Sequence, residues 1–281
     1  MDTSNSRGHT KPLSDNSDVG QDSLPCHGRI DCALCHSRVP VFNRTSTIAA
    51  DGNWRLTANP MAWGNPHPEV LILGFSKGPN QIQDIETRSH NDIAFRKGRA
   101  NVGKILAHVG LIPSGTNDDL RKAVDQAIAD ENGRFGWGSL IRCTVERHEP
   151  KKSKWVATSK MIDPFLNSQF GSDIASRCAT RFLRDLPGET RLIVMFGLGT
   201  KLGYVSSAQA AIERARPGRW RSINDVAYSD GLITVVHVEH FKAQGSLIPD
   251  WLGEKEKPRA TYGKQAKAAV KEALRPSHAS L

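Results

Sequence analysis

The chain has 281 residues, 38% of them apolar, and a formal net charge of +9. Its length suits one large α/β domain or two small ones, and no apolar run approaches the roughly 20 residues that span a bilayer. The opening Met1-Asp2-Thr3-Ser4-Asn5-Ser6 has neither the basic region nor the apolar core of a signal peptide, so a cytoplasmic location is expected.

In chain order, residues 1–23 are rich in Ser, Asp, Asn and Gly, a composition that buries too little apolar surface to offset ordering, and are read as a disordered tail. A domain is expected over 24–253, followed by a basic C-terminal helix and tail over 254–281. Glu69 to Gly74 is a short apolar run ending in glycine, which predicts a buried parallel strand feeding a loop. Asn101 to Val109 has helical spacing, and a second helix carries Leu120, Val124 and Ile128 behind Asn117-Asp118-Asp119. Trp137 to Cys143 predicts another strand. A helix containing Ile174, Cys178 and Phe182 comes next, with Ser172-Asp173 as its cap. Arg191 to Gly197 is a third buried strand and leads through a glycine turn into a helix reaching about Ala215. Leu232 to His240 is a fourth strand, and a last helix covers about Tyr262 to Leu274. Strands alternating with helices predict an α/β fold of three layers, α/β/α, around a central, mainly parallel four-stranded sheet. Ligands in such folds bind beyond the carboxyl ends of the strands.

Five cysteines are an odd count for a secreted disulfide framework. In a reducing compartment, Cys32-Ala33-Leu34-Cys35 reads as a metal or redox site. Cys143 and Cys178 would complete four ligands once the fold gathers them, a set that suits an iron–sulfur cluster or a structural zinc. Cys26 is spare, because its spacing to Cys32 is poorer. The positive charge clusters at Arg142, Arg147, Lys151, Lys152 and Lys154, and again from Lys255 to Lys271, so a polyanion such as nucleic acid is the expected partner.

Taken in order, these segments resemble the iron–sulfur branch of the uracil-DNA glycosylase superfamily. The resemblance rests on the Cys32/Cys35 pair, then Val70-Leu71-Ile72-Leu73-Gly74 with Phe75-Ser76-Lys77-Gly78, then Phe95 ahead of Gly98-Arg99-Ala100. Cys143 closes a strand, Cys178 lies in the next helix, and Leu192 to Gly197 follows; together these cover roughly residues 26–253. The resemblance implies a monomeric DNA glycosylase whose four cysteines hold a structural [4Fe–4S] cluster, with zinc as the alternative. It implies His240 as donor to the leaving base, with His237 as its rival, and Phe95 as an aromatic platform. Gly74 and Gly78 would let the backbone approach the substrate, with Ser76 and Ser139 lining the pocket. Lys242 and the basic C-terminal helix would meet phosphates, with Gln244 and Leu247 entering the vacated base stack.

The departures from the family pattern carry information. The first motif has no carboxylate in Phe75-Ser76-Lys77, leaving Asn80 or Asp84 to orient water. Ser139 stands where the family's base-reading Asn would fall, four positions before Cys143, and a hydroxyl cannot make the paired donor–acceptor contact of an amide. A pocket loosened in this way points to a modified pyrimidine, including the bulky kind found in phage DNA. Ordinary uracil excision and a non-catalytic DNA-binding protein are the alternatives.

Overall fold

The computed structural model describes residues 27–157 and 161–276. The N-terminal tail reading and Cys26 lie outside the described residues. The elements in chain order are β1 (Gly28–Arg29), β2 (Ser46–Ile48), β3 (Trp54–Thr57), β4 (Met61–Gly64), β5 (Val70–Gly74), α1 (Pro79–Asp84), α2 (His90–Ile93), α3 (Arg99–His108) and α4 (Asn117–Ala129). There follow β6 (Phe135–Ser139), β7 (Thr144–Glu149), β8 (Lys154–Val156), α5 (Ile162–Leu166), α6 (Gln169–Leu183), β9 (Leu192–Phe196) and α7 (Gly203–Ala215). The last are β10 (Arg221–Asn224), β11 (Ala227–Ser229), β12 (Thr234–Val238), α8 (Leu247–Leu252) and α9 (Arg259–Ala273).

The expectation of a central, mainly parallel four-stranded sheet is corrected. The main sheet has eight strands in the mixed order β1-β4-β6-β5-β9-β12-β11-β10, and a second sheet, β2-β3-β7-β8, is four-stranded and antiparallel. The apolar runs at β6, β5, β9 and β12 are parallel neighbours, but antiparallel strands widen the sheet on both sides. The added strands are only two to four residues long, below the length at which alternation is legible in sequence. The strand expected to run to Cys143 stops at Ser139. From there the chain leaves the ladder, with Leu140 N–H donating to Gly74 O and Ile141 N–H to Phe75 O, at 2.8 and 2.9 Å.

Every residue of β5, β9 and β12 is buried, as central strands covered on both faces must be. The helices pack in two groups, α3, α4, α8 and α9 in one and α5, α6 and α7 in the other. Local chemistry sets their starts. Thr116 and Asp119 form a reciprocal capping box on α4, and the Ser168 hydroxyl accepts from Gly171 N–H on α6. On α6, Ile174, Cys178 and Phe182 recur every four residues, which turns one continuous stripe inward.

Candidate active site

A cavity of about 330 Å³ opens beyond the carboxyl ends of β5 and β6, within the size range of small-molecule sites. Its floor is the facing pair Gly74 and Ser139, in register across β5 and β6. A Cβ placed on Gly74 would meet Gly138 O at 3.9 Å and Ser139 Oγ at 4.0 Å, ordinary van der Waals contact. Gly138 beside it also lines the cavity, and the Arg142 guanidinium occupies the space where a Cβ on it would sit, 1.5 Å away.

The walls bring together residues far apart in the chain. Ser76, Gly78, Asn80 and Asp84 come from the loop and helix after β5, Phe95 from the turn before α3, and His240, Lys242 and Gln244 from the segment after β12. Leu247 is not among the lining residues; it opens α8 and is 37% exposed. Sequence reasoning passed over Trp63, Phe241, Arg96 and Lys97, all of which line the cavity. Phe241 was signalled only by its place beside His240.

Phe95 is buried and has φ of +54°, in the left-handed region that a bulky side chain rarely occupies. The strain is held from several sides. The Phe95 ring packs edge-on against Phe241 at 5.0 Å between centroids and also meets Phe196 and Trp137. Buried Arg99 staples the preceding chain, donating to Ala94 O at 2.8 Å and to the carbonyl of Asn91, while its other nitrogen pairs with Asp125. Gly98 lies directly under Phe241, where a Cβ would sit 2.5 Å from the ring.

His240 follows β12 and stacks on Phe241 with centroids 4.6 Å apart. The Glu239 carboxylate accepts from His240 backbone N–H at 2.8 Å, and Arg259 donates to its other oxygen. Lys242 backbone N–H donates to His240 Nδ1 at 3.2 Å. Burial of the ring, and then the nearby Lys242 ammonium, push its pKa down to about 4. At neutral pH the imidazole is therefore uncharged, and with Nδ1 accepting, its proton is on Nε2. His237 is different. It is fully buried inside β12, with Nδ1 against Gly197 O at 3.1 Å and Nε2 against Tyr228 Oη at 3.4 Å, and it does not line the cavity.

Asp84 is buried and its carboxylate is engaged. Arg96 grips both oxygens at 2.8 and 2.7 Å, and Arg88 adds a contact at 3.2 Å. The Arg96 hydrogen bonds hold its pKa below the ordinary value. Asp84 thus fixes Arg96, which directly follows Phe95, while Asn80, on the same helix, also lines the cavity. Lys77 is fully buried, and its ammonium donates to Arg142 O. Desolvation pulls its pKa down to about 8, opposed by the nearby Cys143 thiol.

The cysteines come near one another. Cys32 and Cys35 are half-buried; Cys143 and Cys178 are buried. Arg177 of α6 donates to Leu34 O at 3.1 Å and so docks the Cys32–Cys35 turn on that helix. Cys178 hydrogen-bonds to Cys35, which brings the Cys35 pKa down to about 7 and raises that of Cys178. Burial pushes Cys143 up to about 11. The metal expectation is corrected by this arrangement. Among the described residues no group of three or more His, Cys, Asp or Glu is placed to hold a metal ion. Cys35 pairs with Cys178, and Cys143 lies within electrostatic reach of Lys77, Cys32, Cys35 and Cys178; with no such group, neither a cluster nor zinc is assigned to them.

Compared with known families and curated proteins, the chain matches no family model and no curated protein. Among the described residues, no helix is long and apolar enough to cross a membrane.

Proposed function

We propose that the protein is a DNA glycosylase that flips a pyrimidine nucleotide out of the stack and hydrolyses its N-glycosidic bond. The observation that carries this reading is a neutral imidazole, His240, in one cavity with the buried ring of Phe95 and the Gly74–Ser139 floor. Excision needs a platform for the base, a donor to the oxygen on which negative charge builds, and a group that orients water. In this reading Phe95 stacks on the base and His240 Nε2–H donates to its oxygen. Asn80 holds the water that adds to C1′ as the base departs with the bonding electrons. The water's second proton goes to solvent, and the product is an abasic site. Lys77 supports hydrolysis over imine chemistry, because its amine is held on Arg142 O.

Ser139, whose hydroxyl cannot make an amide's paired donor–acceptor contact with a uracil edge, favours a modified pyrimidine over uracil. One observation favours a second reading, a DNA-binding protein without catalysis: the cavity's carboxylate, Asp84, is consumed by Arg96 and Arg88. Abasic-site formation, read by alkali cleavage, tests both. The substrates are duplexes carrying uracil, hypoxanthine, hydroxymethylcytosine or its glucosylated form. Cleavage at a modified pyrimidine, lost in His240→Ala, is the expected result. Cleavage at uracil alone would return the protein to ordinary uracil excision. Binding without cleavage of any substrate would establish the second reading.

A further inference from the structure

The β7–β8 hairpin projects a cluster of lysines that the cavity does not use. Its tip is the turn Pro150–Lys152 followed by Ser153 at φ +46°, and Lys151, Lys152 and Lys154 are exposed. Lys152 has a carboxylate neighbour, Glu149 at 3.2 Å, but that pair is itself exposed and contributes little. Three like charges within four residues repel one another unless counter-charges arrive.

The arm that carries them is braced. Trp155 faces His148 across the hairpin, ring centroids 5.1 Å apart, and the Arg55 guanidinium lies 4.8 Å from the Trp155 ring. Arg55 also pairs with Glu146 at 2.8 Å. On the other face of the sheet, Arg147 covers Trp54, which packs edge-on against Phe165.

The same arm leads into the cavity. Three residues beyond Lys154 is Ala157, which lines it, as do Met161 and Ile162. At about 3.3 Å per residue, Lys154 lies within roughly 10 Å of that wall. A separate pair of cations, Lys97 and Lys242, lines the cavity from α3's turn and from the segment after β12.

We propose that the β7–β8 tip is a second phosphate grip, in which Lys151, Lys152 and Lys154 hold backbone phosphates of DNA while a nucleotide occupies the cavity. The choice of DNA as the occupant rests on the glycosylase reading. The chemistry does not, since a rigid, closely spaced cationic tip complements a repeating polyanion. Each neutralised phosphate contributes about 0.9 to the slope of log affinity against log salt on duplex DNA.

The test is fluorescence anisotropy with a labelled unmodified 20-mer duplex across a potassium chloride series. The proteins are the wild type, the triple variant K151S/K152S/K154S, and the triple Lys→Arg variant. The serine variant should bind with a slope shallower by about 2 to 3, and the arginine variant should keep the wild-type slope. All three should share one melting temperature, because the substituted side chains are exposed. An unchanged slope in the serine variant overturns the grip, as does a wild type that shows no salt-dependent binding. Excision is read separately: a shallower slope without any abasic product would leave the grip standing and remove the glycosylase reading.

Discussion

At the scale of single residues, the neutral state of His240 is the property that excision would depend on. Its ordinary pKa near 6.5 is brought to about 4, first by burial and then by Lys242. The activity profile follows from the sign. As pH falls, kcat/KM for abasic-site formation should stay level down to about pH 5 and decline with an apparent pKa near 4. An acid limb centred near 6.5 would mean that the ring is solvated in the working enzyme. The thiols give a second test. With Cys35 near 7 and Cys143 near 11, Cys35 is the one largely ionised at pH 7.5. Mass spectrometry after brief iodoacetamide treatment should find Cys35 alkylated first, and Cys178→Ala should slow that reaction by removing its hydrogen-bond donor. Joint protection of all four thiols, released by acid, would instead show them ligated together. The sequence made both His237 and His240 candidates, His240 at the expected strand end and His237 three positions earlier on the opposite face. It did not reveal Glu239, whose role comes from Arg259, twenty residues later, and a pairing of that kind has no local signature.

At the scale of elements, close packing around Phe241 joins the α3 end of the site to the β12 end. Asn101 donates to Phe241 O at 3.0 Å, and Gly98 has no space above it. Gly98→Ala should therefore push the ring and its stacked neighbour His240 out of place. Overpacking of this kind costs about 1–3 kcal/mol, and for a domain of this size each kcal/mol lowers Tm by about 2–4 °C. A thermal melt alongside an excision assay checks it; unchanged Tm and activity would show that the ring yields freely. The long apolar strands were legible because burial on both faces writes an unbroken run of Val, Ile and Leu. The helix over α4 was legible from its periodic Leu120, Val124 and Ile128. The short strands β4, β10 and β11 were not. Their pairing is decided by neighbours in space, and Trp63, which lines the cavity, went unnoticed with them.

At the scale of the whole molecule, two imidazoles are folded in uncharged form. His237 and His240 are both held at about 4, each first by burial. Between pH 6.5 and 4 the unfolded chain therefore binds more protons than the folded one, so stability falls as pH drops through that window. Asp84, held low by Arg96, loses its contribution only at still lower pH. Melting temperature should thus decline from pH 7 to pH 4.5, and His237→Phe should flatten the decline; a Tm flat over that range would count against buried neutral rings. The basic helix near the C-terminal end, α9, packs on α8 and β12. Along α9, Ala260, Gly263, Ala266 and Ala269 are buried, and a Cβ on Gly263 would come 2.1 Å from Trp251 O. The first residue of that helix, Arg259, holds the carboxylate that in turn holds His240 N–H. This makes the order of synthesis part of the design. A nascent chain can already possess every cavity-lining side chain while Arg259 is still inside the ribosome. Glu239 then lacks the cation that anchors it, so the turn carrying His240 is the last part of the cavity to be fixed.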